Sequence, residues 1–367
     1  MGKLGAFLKK EPVLAAAALA ALLSCIPVPP DRAYLGYIDY RTLALLYALM
    51  VVVAGLRKAG TFDALARLLC RRAGSARALG IILVGLTFFS SMLITNDVAL
   101  LTFVPFSVVL LGMTGRQRDL IPVAALQTAA ANLGSMLTPV GNPQNLYLYS
   151  RYELGVPDFF RITAPVWGLS LALSLLGCLV LPRTKLALPP GEAPKTDKGK
   201  LRLYLGLFAL CLLSVFRLLP WPGLLAALVP VLLIFDRRTL LEADFLLLLT
   251  FVAFFVFAGN LARLEAVDAL LRRLLAGREY WTALLASQVI SNVPAALLLS
   301  GFTDNARELL LGVDIGGLGT PIASLASLIS LKLYSRSPGA RPGRFLLVFT
   351  LLSLLFLALL SGAKLLL

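Results

Sequence analysis

Two short stretches decide the fold: Thr95-Asn96-Asp97-Val98-Ala99 and Ser291-Asn292-Val293-Pro294-Ala295. Each interrupts an apolar segment at its midpoint, 76–113 in one case and 281–302 in the other. On length, neither half of either segment is expected to cross a bilayer comfortably. A polar tip flanked by two apolar arms instead fits a re-entrant hairpin, which enters and leaves on the same side. Irregular backbone at membrane depth is tolerated only where it is buried in protein or lines a cavity.

Further landmarks recur around these tips in the same order. Upstream, Ala54-Gly55 with Phe62-Asp63-Ala64-Leu65 matches Ala258-Gly259 with Val267-Asp268-Ala269-Leu270. Downstream, Gly134-Ser135-Met136-Leu137-Thr138-Pro139-Val140 matches Gly316-Gly317-Leu318-Gly319-Thr320-Pro321-Ile322. The chain therefore reads as two repeats, 1–182 and 220–367, joined by a connecting loop and linking helix at 183–219. The broken helices fall at 120–149 and 307–333, where proline removes a donor and glycine frees the backbone.

Composition sets the solvent. The 367 residues are 59% hydrophobic and 14% charged, whereas soluble domains carry about 25% charged residues. Apolar runs long enough for roughly 30 Å of hydrocarbon recur at 12–29, 40–57, 120–149, 160–182, 202–219, 221–236, 245–262, 307–333 and 344–363. They are continuous and rich in Leu and Ala, which indicates helices and excludes a β-barrel. The first run lacks a small-residue cleavage site and reads as a retained helix. Segments 61–73 and 265–277 are amphipathic and too charged to span, so they are expected at the interface. There Asp63 and Asp268 read as solvated.

The formal charge of +15 does not indicate nucleic acid. The basic residues cluster in loops on one side of the expected spans: Lys3, Lys9 and Lys10, then 57–77, Arg116 and Arg118, 183–202, Arg237 and Arg238, and 332–344. That bias places the amino terminus in the cytoplasm and the carboxyl terminus outside. Because the hairpins cross nothing, five crossings precede the second repeat, which turns it upside down. The fold class is thus an all-α polytopic membrane protein of two inverted repeats, each with a re-entrant hairpin and a discontinuous transmembrane helix.

The chain has no histidine, and Cys25, Cys70, Cys178 and Cys211 are scattered without a CxxC. With no GxSxG, Walker motif or acidic cluster, nothing supplies a catalytic residue, and an enzyme is not the reading. What remains are oxygens and amides at tips and breaks. Freed carbonyls suit Na⁺, and half-helix amino termini suit an anion. Asn96, Thr138, Asn142, Asn145, Asn292, Thr320 and Ser324 are the candidate substrate contacts. Thr95, Asn96, Asp97, Asn132, Gly141, Ser291, Asn292, Asp314 and Ala323 are the candidate cation contacts, with Na⁺ the metal they would take. Asp97 and Asp314 stand out because charges at such depth are costly. The bland alternatives are interhelical glue for the neutral groups and a helix-start cap for Asp314.

On these residues the chain resembles the ion transporter superfamily of arsenite permeases, citrate transporters and sodium–dicarboxylate or sulfate symporters. The resemblance spans about residues 12–363 and is carried by Thr95-Asn96, Ser291-Asn292, Asn132 to Asn142, and Gly316 to Ser324. It implies that each tip and its neighbouring break form a half-site, with Na⁺ near the tips and substrate between them. It implies a homodimer with a scaffold and a mobile transport unit moving as an elevator. Asp97 and Val293 stand where the carboxylate carriers have Thr, and Asn96-Asp97 looks more like the arsenite-permease branch. The expectation is a plasma-membrane secondary transporter for a small inorganic or organic anion, coupled to Na⁺ or H⁺ and needing no cofactor. An arsenite or antimonite efflux permease, with or without a separate ATPase subunit, or a cation/proton antiporter is the alternative. A channel is the remote one, since matched broken helices argue for alternating access.

Overall fold

The computed structural model describes residues 12–60, 70, 73–185 and 197–366. The expected interfacial segment 61–73, with Asp63, lies outside the described residues apart from Cys70 and Ala73. The chain folds into helices in chain order: α1 Pro12–Ser24, α2 Tyr34–Tyr37, α3 Tyr40–Lys58, α4 Ala76–Ile94, α5 Asn96–Met113, α6 Leu120–Ser135, α7 Pro143–Arg151 and α8 Val156–Gly177. After the connecting loop come α9 Lys198–Val215, α10 Trp221–Phe235, α11 Phe245–Ala262, α12 Glu265–Leu275, α13 Glu279–Ile290, α14 Asn292–Leu299, α15 Ala306–Gly316, α16 Leu325–Ser335 and α17 Pro342–Lys364. The protein is an all-α polytopic membrane protein. Among the described residues, six stretches are long and apolar enough to cross: Tyr40–Lys58, Ala76–Ile94, Asn96–Met113, Val156–Val180, Phe245–Ala262 and Pro342–Lys364.

Two expectations change. The arms of the first hairpin, α4 and α5, are 19 and 18 residues long, so each reaches about 28 Å and is not a short half-helix. The apolar run continues on both sides of the Thr95 reversal, and nothing shortens it. The second hairpin keeps short arms of 12 and 8 residues, α13 and α14. The first span also shortens: α1 stops at Ser24, and residues 25–28 continue only as turns toward Pro29-Pro30.

Helix starts follow local chemistry. Asp39, Ser75, Asp244 and Asn305 each accept a backbone N–H of the first turn of α3, α4, α11 and α15, offsetting donors that would be orphaned. The mouth of the first hairpin is stitched to the end of α8. Arg77 donates to the carbonyls of Leu181 and Leu179, both at 2.8 Å, and Ala76 N donates to Thr184 O. The mouth of the second hairpin lies beside the far end of α7, where Tyr152 donates to Thr303 O at 2.8 Å and Tyr147 pairs with Ser300.

Two apolar cores organise the bundle. One gathers α1, α3, α9, α10 and α11 around Tyr204, Leu224, Leu228 and Phe251, and extends onto α7 and α14. The other gathers α4, α6, α8, α16 and α17 around Leu83, Phe88, Phe345 and Phe349. Fully buried Ala124, Ala125, Ala129, Ala130 and Ala131 let neighbours approach α6 closely. The glycines matched in sequence do the same job twice. A Cβ on Gly55 would stand 2.0 Å from the Tyr204 ring, and one on Gly259 would stand 2.5 Å from the Tyr37 ring. Helix α12 is amphipathic, and its Asp268 is ion-paired to Arg272 one turn on, at the surface.

Candidate functional site

The site is built on two strained tips. Thr95 has φ 68° and ψ 153°, and Ser291 has φ 73° and ψ 152°, a region that only glycine occupies readily. Such backbone costs about 1–3 kcal/mol per residue and persists only where its surroundings enforce it. The enforcing contacts are the same in both places. Asn96 N donates to Gly141 O at 3.2 Å, and Asn292 N donates to Ala323 O at 2.9 Å. Each Asn side chain then turns back: Asn96 Oδ1 accepts from Asp97 N at 2.9 Å, and Asn292 Oδ1 from Val293 N at 3.0 Å. The Thr138 hydroxyl donates to Met92 O, and the Thr320 hydroxyl donates to Gln288 O at 3.1 Å. Tip and break are therefore locked together twice, by a repeated set of bonds.

The two breaks are propped differently. Break 136–142 precedes α7, whose first residue is Pro143, already fixed in helical φ and with no N–H to leave orphaned. Asn145 spans it from α7, donating to Met136 O at 3.2 Å and Thr138 O at 3.3 Å. Break 317–324 is spanned by Gln288 from the hairpin arm. Its Nε2 donates to Gly316 O at 2.7 Å and Leu318 O at 2.9 Å, and its Oε1 accepts from Thr320 N.

Asn132 joins the halves. Its Oδ1 accepts from Asn96 Nδ2 at 3.0 Å and from Ser324 Oγ at 2.9 Å, so the first tip, α6 and the second break meet at one oxygen. Ser324 also caps α16 by accepting from Ala326 N. Asp314 sits in the last turn of α15 and so is no helix-start cap. Its Oδ1 accepts from Gln144 Nε2 at 3.1 Å, which ties the second broken helix to the first. Gln144 and Gln288 were not among the residues expected at the site. Gln144 lies inside the expected broken helix 120–149 and Gln288 one turn before the second tip, so position could have pointed to them.

Two cavities adjoin. A crevice of about 10 Å³ is bounded by Asn96, Asp97, Gln144, Asn292 and Ser324, room for about one water or a bare ion. A vestibule of about 200 Å³ is lined by Arg57, Thr95, Asp97, Asn142, Glu242 and Asp244 among others. Asp97 borders both. Among the described residues no arginine lines the crevice, and Arg57 lines the vestibule. Among the described residues, five buried polar atoms of the site have no hydrogen-bond partner: Asp97 Oδ1, Asn132 Nδ2, Asn142 Oδ1, Asn145 Oδ1 and Asp314 Oδ2. Four of the five are acceptors, the complement of a cation or of a ligand bearing hydroxyls.

Residues 6–308 match the sequence model of the citrate transporter family. The chain belongs to this family. Its resemblance to the ion transporter superfamily is thereby shown over most of its length, and the protein is a membrane transporter. It is 33% identical over 321 residues to an uncharacterized transporter of Methanocaldococcus jannaschii, covering 85% of each chain. It is 34% identical over 318 residues to the inner membrane protein YbiR of Escherichia coli, covering 84% of this citrate transporter family member and 83% of the relative. A silicon efflux transporter of Oryza sativa subsp. japonica is 32% identical over 169 residues, 45% of this chain and 34% of that one.

Proposed function

We propose that the protein is a secondary active transporter for a small anion or neutral oxyacid, coupled to Na⁺ or H⁺, with two inverted repeats that alternate access as an elevator. One observation carries the reading: each Asn at a strained tip donates its backbone N–H to the carbonyl of a broken helix, Gly141 in one case and Ala323 in the other, around a shared crevice. A pore would not need two such locked pairs. Alternating access needs a site that both halves complete.

In this reading the substrate enters between Asn96 and Asn292, beside the amino ends of α7 and α16, which favour negative charge or a polarised oxygen. Asp97 faces the vestibule and takes the coupling ion. The crevice is too small for an organic acid as it stands, so loading requires the two halves to separate. Helices α4–α8 and α13–α17 form the moving unit, and α1, α3 and α9–α11 the scaffold, whose copy in a homodimer anchors the movement. Arg57, one of the basic residues expected on the cytoplasmic side, lines the vestibule, which favours an inward-facing state with a cytoplasmic amino terminus. The silicon efflux relative fits a neutral oxyacid, for which the crevice's lack of arginine is no handicap. An arsenite or antimonite efflux permease or a cation/proton antiporter is the second reading, favoured by the unpartnered Asp97 Oδ1.

The test is flux in proteoliposomes of the purified protein. Silicic acid, arsenite, sulfate, succinate and citrate are each offered under an imposed Na⁺ or pH gradient. Gradient-driven movement of one of them supports the reading. Equal flux with and without a gradient, insensitive to Asn96→Ala and Asn292→Ala, overturns it.

A further inference from the structure

Among the described residues, four that are not glycine have a positive φ: Thr95, Ser291, Glu153 at 50° and Arg217 at 65°. The first two are the tips. The other two end helices. Glu153 follows α7, where Leu154 N donates to Tyr149 O and Glu153 N to Ser150 O, both at 3.2 Å. Arg217 follows α9, where Leu218 N donates to Leu213 O at 2.8 Å and Arg217 N to Ser214 O at 3.1 Å. Both are the same kind of helix ending, whose left-handed position is usually glycine. A side chain kept there against the strain points to a use for it. At Arg217 the use is visible. Its Nη1 donates to Glu153 O and its Nη2 to Tyr149 O, each at 3.1 Å, and the guanidinium lies 5.1 Å from the centre of the Tyr149 ring. The two strained helix ends are therefore bonded to each other.

We infer that Arg217 is a releasable latch between the scaffold and the moving unit, holding the far end of α7 in place while the vestibule is open. The latch rests on the elevator reading proposed above, which puts α9 and α10 in the scaffold and α7 in the moving unit. Helix α7 is about 14 Å long, with Pro143 and Leu146 lining the vestibule at its start and Tyr149 and Glu153 held at its end. Near that end Tyr152 and Tyr147 bond to Thr303 and Ser300 within the moving unit, whereas Arg217 reaches across from the scaffold. Elsewhere α7 meets the scaffold through apolar contact, as in the Tyr147–Phe255 ring pair at 5.6 Å. Apolar contact is non-directional and lets surfaces slide, while a planar guanidinium fork on two carbonyls fixes one register. The cation also suits the negative end of α7. Arg217 is exposed, so water can take over its donors when it lets go. The bond goes to the main-chain oxygen of Glu153, and the Glu153 carboxylate is not needed for it.

The experiment measures the distance between two spin labels in the purified full-length protein, with Cys25, Cys70, Cys178 and Cys211 replaced by Ala. One label is on the scaffold at Arg238→Cys and one on the moving unit at Arg336→Cys, both exposed positions. Wild type is expected to show one dominant distance. Arg217→Gly removes the latch and relieves the φ of 65°, so it does not weaken the end of α9. It should raise the share of a second distance relative to the first by about tenfold. Arg217→Lys, which keeps the charge without the fork, should fall between the two, and Glu153→Gln should match wild type. An unchanged distribution in Arg217→Gly overturns the latch, and so does a lowered melting temperature with no redistribution, which would make Arg217 a plain helix cap. If Na⁺, acid or an oxyacid brings up a second distance equally in wild type and Arg217→Gly, the latch fails and the elevator reading stands. If no variant and no condition gives a second distance, both fail.

Discussion

The first half-site, Thr95–Asp97 with Gly141, and the second, Ser291–Val293 with Ala323, share a backbone and little else. The tip dihedrals agree within a few degrees, and the bonds from each Asn N–H and each Thr hydroxyl are repeated. The side chains diverge. Asp97 faces Val293 across the comparison, Asn132 faces Asp314, and Asn142 faces Ser324. The props diverge too, with Asn145 holding one break from α7 and Gln288 holding the other from the hairpin. Backbone geometry is thus the shared part of the site, and charge is placed independently of it. Each half carries one carboxylate, half-buried on the tip in the first and buried on the broken helix in the second.

If that is right, removing what is shared should damage both sides. Asn96→Ala and Asn292→Ala each strand the backbone N–H that the side chain accepts, and Asn96→Ala also takes a donor from Asn132. At about 1–1.5 kcal/mol per lost bond, two bonds correspond to about a hundredfold in rate and one to about tenfold. Flux in vesicles should fall by about a hundredfold in Asn96→Ala and about tenfold in Asn292→Ala, with the helix content unchanged by circular dichroism. Wild-type flux in one and none in the other would show that only one half binds substrate.

The carboxylates should separate the halves. Asp97→Asn removes the charge beside the vestibule while keeping the side chain's shape. It should flatten the dependence of flux on the coupling gradient and leave flux down the substrate's own gradient. Val293→Asp, the reciprocal change, buries an unpaired charge where Val293 is 7% exposed, and should cost about 3 kcal/mol or more of stability without restoring coupling to Asp97→Asn. A double variant with wild-type coupling would show that the two tips are interchangeable after all.

The breaks offer a third contrast. A Cβ at Gly141 would stand 2.1 Å from Ser135 O, whereas Ala323 already carries one. Gly141→Ala should therefore cost about 1–3 kcal/mol, read as a lowered melting temperature, and Ala323→Gly less than about 1 kcal/mol. Equal effects would mean that break 136–142 opens more freely than this packing allows.

Much of this was legible in the sequence. The tips, the breaks and the helix order could be read because proline, glycine and asparagine stand out against Leu- and Ala-rich runs. That each tip would sit with its neighbouring break was implied by the family resemblance, and the bonds of Asn96 to Gly141 and of Asn292 to Ala323 are seen only in the fold. The hairpin lengths were not legible, since nothing in 76–113 marks how far apolar residues continue as helix on either side of Thr95. Nor was the network around Asp314. Its partner Gln144 lies on the other repeat, and contact across repeats leaves no local pattern. Gln288 escaped for a related reason: a glutamine in an apolar helix reads as glue, and only the fold shows that it splints Thr320 and Gly316.

The finest contrast lies in the strained residues themselves. Thr95→Gly and Ser291→Gly both relieve a backbone conformation worth about 1–3 kcal/mol, offset by about 0.5–1 kcal/mol of lost rigidity in the unfolded chain. Each should raise stability by about 1 kcal/mol and lower flux, because an unstrained tip no longer needs its break to hold it. The gain should be slightly smaller at Ser291, whose hydroxyl makes a long 3.4 Å contact to Ala323 O, whereas the Thr95 side chain caps nothing. A melting temperature that falls in both variants would mean that the side chains, and not the backbone bonds to Gly141 and Ala323, hold the tips in place.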